Sequence, residues 1–191
     1  MKHRLFLFLS ILFISTYINA QNEITGFLGI KLEDKPYVAI DKLKQRFPNT
    51  KWEYPCIKIE KVIFLGKEFD NLVITYKNEK LTKAVFTLRR KRIALERPFE
   101  DANSFFEKGR AAQIWVSNQL TQLFNSFQST LFSKYSNPII SSQGNAVWKD
   151  IKSNTITLNC TYNSIRVESV IGAEGNITII YQTQTNIDDE F

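Results

Sequence analysis

The sequence predicts an α+β fold in which two amphipathic helices pack on antiparallel sheet. Two runs carry the helices: Tyr37, Ile40, Leu43 and Phe47 before Pro48, and Leu120, Leu123, Phe124, Phe127, Leu131 and Tyr135 before Pro138, both at the three-and-four spacing of one helix face. The segment after each run alternates apolar and polar residues with period two, the pattern of half-buried strands. The pattern is a helix followed by an antiparallel meander.

In chain order, Ile24 to Ile30 reads as a short strand or packed entry segment. Asp34 and Pro36 supply an N-cap and a first-turn proline for the first helix. Strands follow from Trp52 through Tyr54, Cys56, Ile57 and Ile59 to Leu65. Gly66-Lys67-Glu68 and Lys77-Asn78-Glu79-Lys80 are turns, and Ala84, Phe86 and Leu88 alternate in the strand that ends near Arg90. Residues 91–118 read as a connecting arm with partial helix, in which Glu100-Asp101 is a helix-start pair. After the second helix come Val147-Trp148, then Ile156, Leu158, Cys160 and Tyr162, then Ile177, Ile179 and Tyr181, with a hairpin-type turn expected at Gly172-Ala173-Glu174-Gly175. Trp52 and Trp148, both before strands, are expected in the core.

The halves 24–90 and 119–182 show one order: helix, proline, tryptophan, strands. Pro48 precedes Trp52 as Pro138 precedes Trp148, and Ile74-Thr75-Tyr76 parallels Ile179-Ile180-Tyr181. That is the pattern of a degenerate tandem helix-plus-meander repeat within a single α+β domain spanning 21–191.

The N-terminus reads as an export signal. Lys2 and Arg4 precede the uncharged apolar run from Leu5 to Ile14, which softens to Ala20, so cleavage between Ala20 and Gln21 is expected. The run is about half the roughly 20 residues a membrane-spanning helix needs. The product is then soluble and periplasmic or secreted, without a transmembrane span. Cleavage lowers the net charge of +6 by two and removes His3, the only histidine. Without an imidazole no Ser-His or Cys-His nucleophile pair exists, nor any His-ligated zinc site. No Gly-rich phosphate loop, HExxH or Cys-x-x-Cys occurs either. The sequence thus assigns no catalytic residue, no metal site and no cofactor. Cys56 and Cys160 are the only cysteines, and export leaves two readings open: a disulfide, or two buried thiols.

The sharpest charge feature is Arg89, Arg90, Lys91 and Arg92, with Arg110 beyond it. Outside the cytosol such a cluster meets anionic glycan or lipid rather than nucleic acid, or it blunts a sheet edge. Trp115, in the irregular arm, is the tryptophan best placed to anchor a partner; otherwise it plugs the core.

Over roughly residues 24–182 the helix-proline-tryptophan-strand order resembles exported bacterial domains with helices laid on an antiparallel sheet, the β-lactamase-inhibitor-protein-like repeats and the related small outer-membrane-assembly lipoproteins. The resemblance implies protein binding without catalysis. This chain has no lipobox cysteine after its apolar run, and no family binding residue maps onto a position here. The sequence therefore points to an exported, non-enzymatic domain that binds another envelope or extracellular protein or serves envelope assembly. The alternative is a module that associates with an anionic surface through its basic patch.

Overall fold

The computed structural model describes residues 22–53, 55–97 and 101–184. The leader with its Ala20–Gln21 junction, Tyr54, Phe99, Glu100 and the tail from 185 lie outside the described residues. The fold is α+β: two helices and one large antiparallel sheet, with a small two-stranded ladder beside them.

The chain opens with β1 (Gly26–Phe27) and β2 (Ile30–Lys31), a short ladder that places Ile24, Phe27 and Ile30 in the core. Helix α1 (Pro36–Arg46) begins with proline, whose missing N–H is an orphan at that position anyway. Its N-cap is Lys35, one residue later than expected, because the Asp34 carboxylate instead accepts from the Lys31 N–H and the Lys42 ammonium. Strands β3 (Lys51–Glu53), β4 (Cys56–Phe64), β5 (Lys67–Lys77) and β6 (Lys80–Leu95) follow as a meander. Helix α2 (Ala102–Tyr135) then runs for 34 residues, or about 50 Å at the helical rise. Asp101 caps it, accepting from the Ser104 N–H at 3.1 Å. A second meander closes the chain: β7 (Ile140–Ser142), β8 (Asn145–Lys149), β9 (Thr155–Val167) and β10 (Val170–Gln182).

Each half thus runs helix, three-residue strand, three longer strands. The last strands of the two meanders pair with each other, giving the order β3-β4-β5-β6-β10-β9-β8-β7 in one eight-stranded sheet. This topology matches β6 with β10, so the likeness between Ile74–Tyr76 on β5 and Ile179–Tyr181 on β10 joins strands that occupy different places in the two halves.

The structure revises the reading of two segments. The arm at 91–118 is not irregular: 91–95 continue β6 and 102–118 are the first half of α2. Aromatic and charged residues interleave there because β6 extends beyond β5, and α2 lies over it with charge on its outer side. Gly172 to Gly175 is not a turn but the interior of β10. The glycines permit close approach: a Cβ on Gly175 would sit 2.5 Å from Leu120 of α2, and one on Gly172 would sit 2.2 Å from the Arg92 carbonyl oxygen. A Cβ on Gly109 of α2 would likewise stand 2.2 Å from Ile171, so helix and central strand share one packing line.

Of the two readings open for the cysteines, the structure excludes the disulfide. Cys56 and Cys160 are both free thiols, on β4 and β9. Four strand spacings separate those strands, about 19 Å, against the less than about 7 Å between Cα atoms that a disulfide tolerates. They also face opposite ways. Cys56 lies beside Thr75, away from the helices, while Cys160 packs against the core.

One face of the sheet carries the core. Ile57, Ile74, Ala84, Tyr181, Ile156 and Trp148 form one row across it, and Ile59, Leu72, Phe86, Ile179, Leu158 and Ala146 the next. Ala39 and Leu43 of α1 and the buried stripe of α2 from Val116 to Tyr135 close over these rows in a single cluster. Phe86 sits at its centre, stacked on Phe64 at 4.1 Å and edge-on to Phe27 and Phe69 at 5.5 and 5.7 Å. The opposite face bears half-buried Val73, Val85, Ile180, Thr157 and Val147 in one row. Beside it Asn71, Thr87, Thr178, Asn159 and Asn145 form an uncharged polar ladder. Among the described residues no helix is long and apolar enough to cross a membrane.

Among the described residues Asp150 is the one buried carboxylate, 5% exposed. It accepts from the N–H groups of Ile24, Lys152 and Asn154 and from the Asn154 carboxamide, tying the entry segment to the β8–β9 turn. Asp150→Ala strands those donors and is expected to cost about 3 kcal/mol in chemical denaturation; a loss under about 1 kcal/mol contradicts the clamp. Alkylation of denatured, unreduced protein is expected to label both cysteines, and an unlabelled product contradicts the strand separation.

Candidate functional site

The strand period splits the basic run. Arg89 and Lys91 point to the open face of the sheet, while Arg90 and Arg92 point to the helix face. Lys91 pairs with Glu174 on β10 at 3.6 Å, and the Arg90 guanidinium donates to the neighbouring Arg89 carbonyl at 2.9 Å. The Arg92 guanidinium lies 5.2 Å from the centroid of the Trp115 ring, a cation–π contact across the flank of α2. Among the described residues strand β6 has no partner on its outer side beyond Thr87, where its ladder to β5 ends, and the Arg89 N–H is taken by the Asp70 carboxylate at 2.5 Å. Charged residues on such an edge deter pairing with another chain. Arg110 stands exposed on α2, next to Gly109, and is not part of the strand cluster. The five residues Arg89, Arg90, Arg92, Arg110 and Trp115 are therefore not brought together on one surface.

Of the two tryptophans expected in the core, one is there. Trp148 is in the core as expected, 1% exposed, with its indole N–H donating to the Ser136 carbonyl at 2.9 Å. Trp52 is not: it lies on β3, the outermost strand, and is 39% exposed. Tyr37 is likewise outside the core at 62%, because α1 turns Ala39 and Leu43 inward and leaves the Tyr37 side to solvent.

These two rings border a groove of about 530 Å³ between α1, β3 and the β5–β6 turn. Tyr76 of β5 forms part of its lining, with ring centroid 6.4 Å from that of Trp52 at an angle of 50°. The Tyr76 side chain is buried, and among the described residues its hydroxyl has no hydrogen-bond partner. Burial pushes this phenol well above its ordinary pKa, and the nearby Asp34 carboxylate adds to the shift, so the hydroxyl stays protonated and able to donate. Polar side chains rim the groove: Asp41 and Lys44 on α1, Asn78 and Glu79 on the turn. Glu79 pairs with Lys35 at 3.0 Å.

A second groove, about 470 Å³, occupies the matching corner of the other half, between α2, β7 and β9. The correspondence is register for register. Trp52 and Glu53 face Ile57 and Cys56 as Ser141 and Ser142 face Ala146 and Asn145. The Tyr76 N–H donates to the Pro55 carbonyl as the Cys160 N–H donates to that of Gly144. Each corner lies where the helix passes over the edge hairpin. Burial raises the pKa of Cys160, which lines the second groove.

Among the described residues no three His, Cys, Asp or Glu side chains come together as metal ligands would. No protein-family model, no characterised protein and no solved structure matches this chain.

The aromatic corner was hidden because Tyr37 and Trp52 occupy positions that amphipathic spacing assigns to the core. One available signal was the pair Pro48 and Pro55, which bracket Trp52 closely and leave room only for a short strand, the profile of an edge. An unpaired buried hydroxyl costs stability, so Tyr76→Phe is expected to raise unfolding free energy by about 1 kcal/mol. A drop of that size in thermal or urea unfolding contradicts the unpartnered state.

Proposed function

We propose that this chain is an exported, non-enzymatic domain that binds another envelope or extracellular protein, and that the aromatic corner at α1 and β3 receives the partner. The supporting observation is the gathering of exposed Tyr37 and Trp52 with Tyr76 in the lining of one groove. Tyrosine and tryptophan are the residues that most often concentrate interface energy, because each offers a large rigid ring and a polar tip. Here a rim of Asp41, Lys44, Asn78 and Glu79 surrounds them, the arrangement of apolar centre and polar margin found in protein interfaces. The leader pattern of residues 1–20 supports export, and the helix-on-sheet element order is that of the exported binding domains the sequence resembles.

The alternative, association with anionic glycan or lipid through Arg89, Arg90 and Arg92, draws less support. Those side chains are divided between two faces, and two of them are engaged by Trp115 and by a neighbouring carbonyl.

Cross-linking capture of the mature protein from envelope extract tests the proposal. Retention of the captured partner is expected to fall at least tenfold with Trp52→Ala or Tyr37→Ala, in line with hot-spot losses of about 2 kcal/mol. The triple change of Arg89, Arg90 and Arg92 to Glu is expected to leave it within about twofold. Retention indifferent to Trp52 and Tyr37, or abolished by the arginine changes, contradicts the assignment.

A further inference from the structure

Residues 111–133 of α2 contain no charged side chain across 23 consecutive positions, in a chain that is 23% charged. The buried stripe explains part of that run. The outer side does not follow from burial: Ser117, Asn118, Thr121, Gln122, Asn125 and Ser126 are exposed. Nor does helix stability explain it, because Ser, Asn and Thr are poorer helix formers than Lys, Glu or Ala, and no i,i+4 ion pair is available to them. The absence of charge therefore belongs to the surface rather than to the helix.

Ser117, Thr121 and Asn125 of that side stand in one wall of the groove at the second corner, and the opposite wall is uncharged too. Thr121, Asn125 and Gln128 of α2 face Ser141 and Ser142 of β7, with Tyr162 of β9 at the end. Among the described residues no Asp, Glu, Lys, Arg or His lines it, whereas the other groove corner has Asp41, Lys44 and Glu79. The Gln128 carboxamide donates to the Ser141 hydroxyl at 3.1 Å, linking helix to edge strand across the groove. Tyr162 is 44% exposed and Phe124 lies below, so the groove offers aromatic surface as well.

We infer that this groove binds a neutral oligosaccharide. Carboxamides and hydroxyls each donate and accept, which suits sugar hydroxyls that do the same. An aromatic ring offers a flat apolar surface to the C–H face of a pyranose. An anionic or cationic ligand would find no opposite charge on either wall. Leu120, Phe124 and the Tyr162 ring supply apolar surface between these walls of hydroxyl and carboxamide groups. The site is separate from the proposed protein-binding corner and does not depend on it.

The test is NMR titration of the full mature protein with four probes: chitohexaose, cellohexaose, polygalacturonate as an acidic glycan, and a neutral Gly-Ser peptide. At least one neutral hexasaccharide is expected to give saturable shifts at Gln128, Ser141 and Tyr162. Its Kd is expected to stay within about twofold as salt rises from about 50 to about 500 mM. Tyr162→Ala and Thr121→Arg, both at exposed positions, are each expected to weaken it at least tenfold, while Trp52→Ala leaves it unchanged. The inference is overturned if neither neutral hexasaccharide binds, if only the acidic glycan or the peptide does, or if binding survives both groove substitutions.

Discussion

The pairing of β6 with β10 is the constraint on which the rest of this structure depends. From Lys83 opposite Gln182 to Leu95 opposite Val170 it holds thirteen consecutive residue pairs, and it turns two four-stranded meanders into one sheet. Either meander alone would expose a long edge strand and half an apolar face, a poor arrangement in water. Joined, they present a continuous apolar surface wide enough for both helices. Phe86 and Ile179, directly opposite each other across the seam, lie in the middle of that surface.

The glycines make sense only in that setting. Gly175 on β10 and Gly109 on α2 remove the side chains that would otherwise hold the helix off the strand, so α2 runs along the seam at close range. Helix α1 is a third of that length and covers only the outer part of its half. The difference in helix length shapes the two corners. Short α1 leaves Tyr37 and Trp52 at an open margin with charged neighbours, whereas long α2 walls its corner with an uncharged polar side. One topology thus supports two grooves of contrasting chemistry. The rows of Asn, Thr and Val on the opposite face show how a sheet surface stays hydrated without becoming a second core.

Much of this was legible in the sequence. The three-and-four spacing from Leu120 to Tyr135 and the alternation at Ala84, Phe86 and Leu88 mark a helix and a strand through local periodicity alone. The features that stayed hidden depend on contacts between distant segments. Gly172 and Gly175 carry a turn signal, and only the proximity of Leu120 and Arg92 shows why a strand needs them. Residues 91–118 lack a clear period because β6 outruns its neighbour and α2 is clamped from both flanks, Arg92 over Trp115 and Arg166 over Phe106. Cys56 and Cys160 are compatible with a disulfide by count, and strand order alone separates them. Trp52 satisfies core patterning, yet its strand is the last in the sheet.

Native-state hydrogen exchange across the seam tests its unifying role most directly. Amides in the central parts of β6 and β10, around Phe86 and Ile179, are expected to exchange only through global unfolding and with one common free energy. The edge strands β3 and β7 should open more readily. Contradiction would be two separate plateaus, one for the β4–β6 amides and another for β8–β10, showing that the halves unfold independently and that the seam does not unite them.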